Sequence, residues 1–341
     1  MKIAIDAMGG DYAPEAIIHG GVEAVRHGKG KYEVVFVGYE SVIQTYLSHH
    51  FRIHELPISI HHATQKIEMA DSPMSALRKK PNASIIVAME LHKNREVDAV
   101  ISAGHTGAAM ASAMLYLGRI QEVKRPAIGS LIPHGQGVSM LIDIGANLDC
   151  KPFHLLQFGV MGSIYMKNVL DIPKPKIALL NIGKEESKGN DVIQKAYKLL
   201  TLSGLNFVGN IEGRDVLSGN VEVIVCEGFV GNIVLKFAES INGAYSKTLK
   251  RKIGKKVFSN IGAFLLKPTF ERLRKIYDYE EYGGAPLLGI NGTCIICHGS
   301  STPKAIKNAV KEAEMMIDQR INEQISNELL GMREEKIGAK N

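Results

Sequence analysis

Eight short segments combine glycine with residue types that hold small anions: Asp6–Asp11 (DAMGGD), Val37–Glu40 (VGYE), Ser102–Ala108 (SAGHTGA), Asp143–Asn147 (DIGAN), Asn181–Gly189 (NIGKEESKG), Gly209–Asp215 (GNIEGRD), Cys226–Asn232 (CEGFVGN) and His298–Ser301 (HGSS). A tight strand-to-helix turn accounts for any one of these glycines. It does not require asparagine, aspartate, lysine and histidine to recur beside them. Backbone N–H groups at helix starts, amide side chains and lysines together suit a small anion, and equally the oxyanion of an acyl-transfer intermediate. Phosphate fits that description. It is itself an anionic nucleophile, and a thiolate leaving group needs little help from an acid, so an acyl thioester and phosphate would need mainly positioning and charge stabilisation.

Covalent machinery is missing from the sequence. There is no G-x-S-x-G elbow, no Walker loop, no strict G-x-G-x-x-G after the first apolar run and no H-E-x-x-H, which argues against a triad hydrolase, a kinase or a zinc hydrolase. Cys294-Ile-Ile-Cys297-His298 has the spelling of a haem-attachment motif, but within a β-branched run residues 294 and 297 point to opposite faces of a strand. Four cysteines in 341 residues are expected as reduced thiols, these two buried, with no metal and no cofactor.

The elements that must position the corners follow from the apolar pattern. Short β-branched runs at Lys2–Ile5, Glu33–Val37, Ala99–Ser102, Ser139–Ile142, Lys176–Leu180, Asn206–Val208, Val221–Val225 and Thr293–Cys297 alternate with helical stretches. That alternation predicts an α/β fold with a mostly parallel sheet wrapped by helices on both faces. Each run ends in a glycine-bearing corner, and in an open parallel sheet such corners share the edge where ligands bind. The last helix is predicted to start at Ser301-Thr302-Pro303, a hydroxyl cap with proline at the first helical position, and to carry Ala309, Ala313, Ile317, Ile321 and Ile325 in one stripe.

With 341 residues and 45% hydrophobic content the chain can bury a large core in one unit or two joined lobes, and disorder is not expected. No repeat or linker marks a boundary. Met-Lys-Ile-Ala-Ile-Asp at the start is too short in apolar length for a signal peptide, and no window reaches the roughly 18 apolar residues of a spanning helix, so a cytoplasmic protein is expected.

Taken together, IDAMGGD (5–11), SAGHTGA, DIGAN, LNIGKEESKG (180–189), GNIEGRD, GFVGN (228–232), EYGGAPLLG (281–289) and HGSS resemble, in the same order and almost end to end, the PlsX-type phosphate acyltransferases of bacterial phospholipid synthesis. The resemblance implies conversion of acyl-[acyl carrier protein] and inorganic phosphate into acyl phosphate and free carrier, feeding glycerol-phosphate acylation. It also implies a homodimer with a three-layer α/β/α fold like that of isocitrate and isopropylmalate dehydrogenases. Residues 1–341 would form one catalytic unit, or two lobes of unassigned boundary.

The family pattern Leu-Asn-aliphatic-Gly-x-Glu-x-x-Lys-Gly falls on Asn181, Gly183, Glu185, Lys188 and Gly189. It makes Lys188, rather than Lys184, the candidate for holding phosphate or the developing oxyanion; the competing reading is a solvated loop lysine. Asn232, after GFVG, is the candidate to orient the thioester carbonyl, a helix cap being the rival reading. These two are the catalytic candidates. Substrate-binding candidates are Gly9, Gly10, Asp11, Gly104, His105, Thr106, Asp143, Gly145, Asn147, Asn181, Gly183, Glu185, Gly231, His298 and Ser300. Among the acids, Asp143 and Asp11 are expected in supporting roles: Asp143 with Asn147 shaping the glycine turn, Asp6 and Asp11 bonding neighbouring backbone N–H groups. Two positions depart from the pattern: His105 stands where the family has Asn, and Glu227 replaces Asp before GF. A histidine there still donates a hydrogen bond, so His105→Asn is expected to keep activity.

Charge is unevenly spread. Lys plus Arg exceed Asp plus Glu by 41 to 35, yet Lys247–Lys275 holds ten basic residues against the single acid Glu271. Val257, Ile261 and Leu265 recur at intervals of four with Lys255 and Lys256 elsewhere around the helix, predicting a basic amphipathic hairpin over 246–277 with Ala263, Phe264, Leu265 and Leu266 near its tip. The tip is either buried in a dimer or dips into an anionic membrane, and the resemblance favours peripheral membrane attachment. The same positive face would attract an acidic acyl carrier protein. No nucleic-acid partner is expected. Rival functions are a phosphate acetyl- or butyryltransferase using acyl-coenzyme A, a decarboxylating NAD-dependent dehydrogenase, whose metal-binding aspartate cluster and nucleotide loop are not evident, and a non-catalytic membrane scaffold for lipid-synthesis enzymes, which would not need the glycine corners.

Overall fold

The computed structural model describes residues 1–52, 56–253, 266, 268–269 and 278–338. In chain order the elements are β1 (Lys2–Asp6), α1 (Glu15–Gly28), β2 (Glu33–Gly38), α2 (Glu40–His50), β3 (Ile58–His62), α3 (Pro73–Lys79), α4 (Ser84–Lys93), β4 (Ala99–Ser102), α5 (Thr106–Tyr116), β5 (Ala127–His134), β6 (Gly137–Ile142), α6 (Pro152–Val169), β7 (Ile177–Leu180), α7 (Asp191–Thr201), β8 (Phe207–Ile211), β9 (Val223–Val225), α8 (Gly228–Ile253), β10 (Ala285–Leu288), β11 (Cys294–Ile296), α9 (Pro303–Asp318) and α10 (Ile321–Gly338). The architecture is three-layer α/β/α with a mostly parallel sheet.

The chain divides into two compact units, Met1–Ser130 with Val160–Pro173 and Glu280–Asn341, and Leu131–Gly159 with Lys174–Tyr279. In the first, strands run in the order β3-β2-β1-β4-β11-β10-β5. β1, β2, β3, β4 and β11 are parallel, while β10 pairs antiparallel with both β11 and β5. The central runs KIAID, EVVFVG and AVIS are apolar almost throughout because both faces are covered, and their side chains are buried. Each large side chain so buried stabilises by about 1.5–3 kcal/mol. α1 lies so close to α9 that a Cβ on Gly20 would come within 2.6 Å of Ile306 Cβ.

In the second unit the order is β6-β9-β7-β8, all parallel. Its core joins Ile132, Leu141, Ala178, Leu180, Ile211, Val221 and Ile224. The amphipathic α7 buries Ala196 and Leu200 and is capped by Asn190, whose side chain accepts from the Ile193 N–H at 3.0 Å.

The eight expected strands are all present. Three more were not legible. β5 is interrupted by Gly129 and Pro133, β10 is Ala-Pro-Leu-Leu, and β3 is a half-exposed run with only two isoleucines before two histidines, so none shows an uninterrupted β-branched run. The last helix is two, not one: Arg320 adopts φ 49° between α9 and α10, a break hidden by the unbroken spacing from Ile317 to Ile321. Thr302 occupies the N-cap position of α9 and Pro303 follows as expected, but the hydroxyl does not cap; it donates to Glu280 at 2.9 Å.

Residues 246–253 continue α8, whereas Lys255, Lys256, Ala263, Phe264 and Leu265 of the expected hairpin lie outside the described residues. Leu266 is exposed. Among the described residues, no helix is long and apolar enough to cross a membrane.

Candidate active site

In the first unit, β1, β4 and β11 lie side by side and end at one rim. Asp6, the last residue of β1, is buried and accepts from the Ser102 hydroxyl at 2.7 Å and from the Met8 N–H at 3.3 Å. Burial raises its carboxyl above the ordinary range, opposed by hydrogen bonds from Ser84, Ser102, Met8 and Gly9. The corner above it is tight: a Cβ on Gly9 would lie 2.6 Å from the Asp6 carboxylate and 2.8 Å from the Gly104 nitrogen, so the turns after β1 and β4 touch through glycine alone. The Asp11 N–H donates to the Gly299 carbonyl at 2.7 Å, which ties in the turn after β11. Gly9, Gly10, Asp11, Gly104, His105, Thr106, His298 and Ser300 therefore belong to one rim.

Asp11 departs from expectation. Its carboxylate bonds no backbone N–H among the described residues; it is exposed, and its own N–H is the group that closes the turn. His105 is the N-cap of α5, its Nδ1 accepting from the Gly107 N–H at 3.1 Å and the Ala108 N–H at 3.4 Å. His298 Nδ1 lies 2.7 Å from the Ser300 hydroxyl and accepts from the Ser300 N–H at 3.2 Å.

In the second unit, the turn after β6 is organised by Asp143. Its buried carboxylate accepts from the N–H groups of Gly145 (3.2 Å), Ala146 (3.1 Å) and Asn147 (2.7 Å) and from the Asn147 amide (3.0 Å). With both oxygens engaged, Asp143 shapes this turn, and Asn147 is its partner. α8 packs straight onto it: a Cβ on Gly231 would sit 1.8 Å from the Asp143 carbonyl oxygen. Glu227 caps α8, its two carboxylate oxygens accepting from the Phe229 N–H at 2.9 Å and the Val230 N–H at 3.2 Å. The cap reading of Asn232 is thereby excluded. Asn232 lies one turn inside α8, exposed, with its amide over Gly145. Cys226 abuts the Asp143 carbonyl at 3.4 Å, and burial pushes its thiol well above the ordinary value, so it is held as the thiol.

The corner after β7 is built differently. Asn181 donates from its amide to the Lys188 carbonyl at 3.1 Å and accepts from the Ile182 N–H at 2.8 Å. Asn210 donates to the Glu185 carbonyl at 2.9 Å, and Gln194 to the carbonyls of Ser187 at 2.7 Å and Gly189 at 3.2 Å. Four loop carbonyls are thus tied by side-chain amides, which takes acceptors away from any bound anion. The Lys188 stem closes over Gly183, where a Cβ would meet Lys188 Cγ at 2.9 Å and the Glu185 carboxylate at 2.8 Å. Lys184 Nζ is paired with Asp215 at 3.1 Å, and the Asp215 carboxyl is held below its ordinary range first by the Glu212 N–H and then by Lys184. Lys188 is exposed and has no ion pair among the described residues.

Ser84, Ser102, Gln194, Asn210 and Glu227 as a cap escaped sequence reasoning. Ser102, at the head of SAGHTGA, Asn210, within GNIEGRD, and Glu227, before GF, carried a signal; Ser84 and Gln194 did not. Among the described residues, no group of three or more His, Cys, Asp and Glu is arranged to hold a metal.

The likeness to known proteins extends over nearly the whole chain. The family described as Fatty acid synthesis protein matches residues 1–324. A phosphate acyltransferase from Pelotomaculum thermopropionicum is 49% identical over 325 residues, 95% of this chain and 94% of that protein. One from Thermodesulfovibrio yellowstonii is 49% identical over 341 residues, 100% of this chain and 97% of that protein. Among solved structures, a phosphotransacetylase from Streptococcus pyogenes superposes with a TM-score of 0.62 at 17% identity, covering 93% of this chain and 94% of that one. A 4-hydroxythreonine-4-phosphate dehydrogenase from Klebsiella pneumoniae gives 0.51 at 13% identity, covering 92% and 98%. At such identities the likeness is one of fold. Fold, rims and relatives define an α/β acyltransferase. The chain belongs to the Fatty acid synthesis protein family, that of the PlsX-type phosphate acyltransferases.

Proposed function

We propose that the chain transfers an acyl group from acyl carrier protein to inorganic phosphate, giving acyl phosphate and free carrier, in the supply of acyl phosphate for glycerol-3-phosphate acylation in phospholipid synthesis. The observation that carries this reading is the corner Asn181–Gly189, where Lys188 has no ion-pair partner among the described residues and is braced over Gly183, while Lys184 is neutralised by Asp215 and the loop carbonyls are tied away. A phosphate oxygen attacks the thioester carbon, the C–O bond forms, and the carbonyl electrons pass to oxygen. The tetrahedral intermediate then collapses, the C–S bond breaks, and the carrier leaves as thiolate. Lys188 balances the charge carried by phosphate and the developing oxyanion. Asn232, with its amide free of capping duty, orients the carbonyl. The buried Cys226 thiol gives no reason to invoke an enzyme thioester.

A long acyl group needs apolar surface beside the thioester, and the exposed Phe229, Ile233 and Phe237 follow one stripe of α8 past Asn232, which supports an acyl donor longer than acetyl. The basic segment Lys247–Lys275 supports an acidic carrier protein as donor and an anionic membrane as the surface on which a cytoplasmic homodimer rests. The test is phosphate-dependent thiol release from acyl carrier protein and from coenzyme A thioesters of the same chain, repeated with Lys188→Ala. Preference for coenzyme A would favour the acetyl- or butyryltransferase reading.

A further inference from the structure

We infer that His105 and His298 form a pair of tautomer-locked hydrogen-bond donors that bind the substrate phosphate at the rim of the first unit. This deepens the reading given above and rests on it. Both imidazoles have Nδ1 committed as an acceptor: His105 to the Gly107 and Ala108 N–H groups at the start of α5, His298 to the Ser300 N–H and its hydroxyl. A proton on Nδ1 would point at N–H groups that donate to it, so each neutral ring carries its proton on Nε2. Among the described residues neither Nε2 has a hydrogen-bond partner.

The topology places the two side by side. β11 runs parallel to β4 with Ile296 opposite Ser102, and the Cys297 N–H extends the ladder to the Ser102 carbonyl at 2.8 Å. His298 therefore follows two residues beyond one member of the pair and His105 three beyond the other, one strand spacing apart. Around them the turns pack closely through Gly9, Gly10, Gly104 and Gly299, where any side chain would meet a neighbouring turn or carboxylate, and this close packing holds the two histidine-bearing turns together. Lys80 is bonded to Asp71, a carboxylate near His105, so it does not supply a free cation there. N–H donors with a fixed direction suit phosphate, which presents several acceptor oxygens.

The same geometry is compatible with the asparagine that the resemblance implies for position 105 in the family. An asparagine caps through Oδ1 and donates from Nδ2; here Nδ1 caps and Nε2–H donates.

The test is a titration of the native protein, labelled with 15N-histidine, with inorganic phosphate, the two rings being assigned from His105→Asn and His298→Gln. Both rings are expected as Nε2–H tautomers, and both Nε2 resonances to move with one apparent Kd. An Nδ1–H or charged ring at neutral pH, or phosphate moving only one of them or neither, would overturn the pairing. Kinetics add a second arm, because His105→Ser keeps a capping oxygen but removes the outward donor. It is expected to retain the thermal midpoint while its KM for phosphate rises on the order of 10–100-fold, with rescue by His105→Asn to within about threefold. An unchanged KM for phosphate in a folded His105→Ser protein would reduce His105 to a helix cap. If native protein shows no phosphate-dependent thioester cleavage, the reading of function fails instead, whatever the titration shows.

Discussion

Lys184 and Lys188 sit four residues apart in one loop, yet among the described residues only Lys184 is neutralised, its Nζ 3.1 Å from the Asp215 carboxylate, while Lys188 is exposed with its stem packed on Gly183. Their substitution should therefore differ. Lys188→Ala is expected to lower phosphate-dependent thiol release about 100–1000-fold, the scale of losing one stabilising group at an oxyanion. Lys184→Ala removes an exposed ion pair worth less than about 1 kcal/mol and should leave turnover within about threefold. Equal losses in the two variants would remove the reason for preferring Lys188.

The contact of Gly231 with the Asp143 carbonyl predicts a stability effect separable from chemistry. Gly231→Ala places a methyl where only 1.8 Å is available, so α8 must shift off the Asp143 turn. A loss above about 4 kcal/mol, or failure to fold, is expected in denaturant unfolding. Gly331→Ala, in α10 with open space around it, should raise stability by about 0.5–1 kcal/mol.

Glu312 predicts a pH dependence of folding. It is fully buried on α9, accepts from the Tyr165 hydroxyl at 2.6 Å and the Gly284 N–H at 3.2 Å, and burial pushes its carboxyl up to about 8 from an ordinary 4.5. Between those values the folded state holds a proton that the unfolded state has released. This contribution is present in full below about pH 4.5 and declines as pH rises to about 8, by at most about 1.4 kcal/mol per pH unit. Glu312→Gln should flatten that decline in unfolding curves taken at pH 5, 6.5 and 8. A variant with the native slope would show that the carboxyl is ionised when folded.

Anionic vesicles should carry the native protein upward in flotation, and Phe264→Glu with Leu265→Glu should abolish this while leaving thiol release from soluble substrate intact. Unchanged flotation of the folded variant would rule out that segment as the anchor.

Much of this was legible in the sequence, for identifiable reasons. The central strands are buried on both faces, so their apolar runs stand out, and each ends in a glycine corner that a tight turn demands. β5 and β10 were hidden because Pro133 and Pro286 contradict strand propensity, and their place in the sheet is set by tertiary pairing. The family pattern implied by the resemblance pointed to Lys188, but not to why it has no ion pair among the described residues: that depends on Asp215, 31 positions beyond Lys184, capturing the other lysine, and on Asn210 and Gln194 securing the loop carbonyls. The capping role of His105 was equally hidden, because histidine is not a residue one expects at a helix start, and Glu227 performs the capping that was the rival reading for Asn232.

The most direct measurement follows thiol release from long-chain acyl-[acyl carrier protein] by purified protein, with and without inorganic phosphate, while the acyl product is trapped with hydroxylamine. Release that requires phosphate and yields one hydroxamate-forming acyl phosphate per thiol is the expected result. Release at the same rate without phosphate, or free fatty acid in place of acyl phosphate, would contradict phosphate as the attacking group.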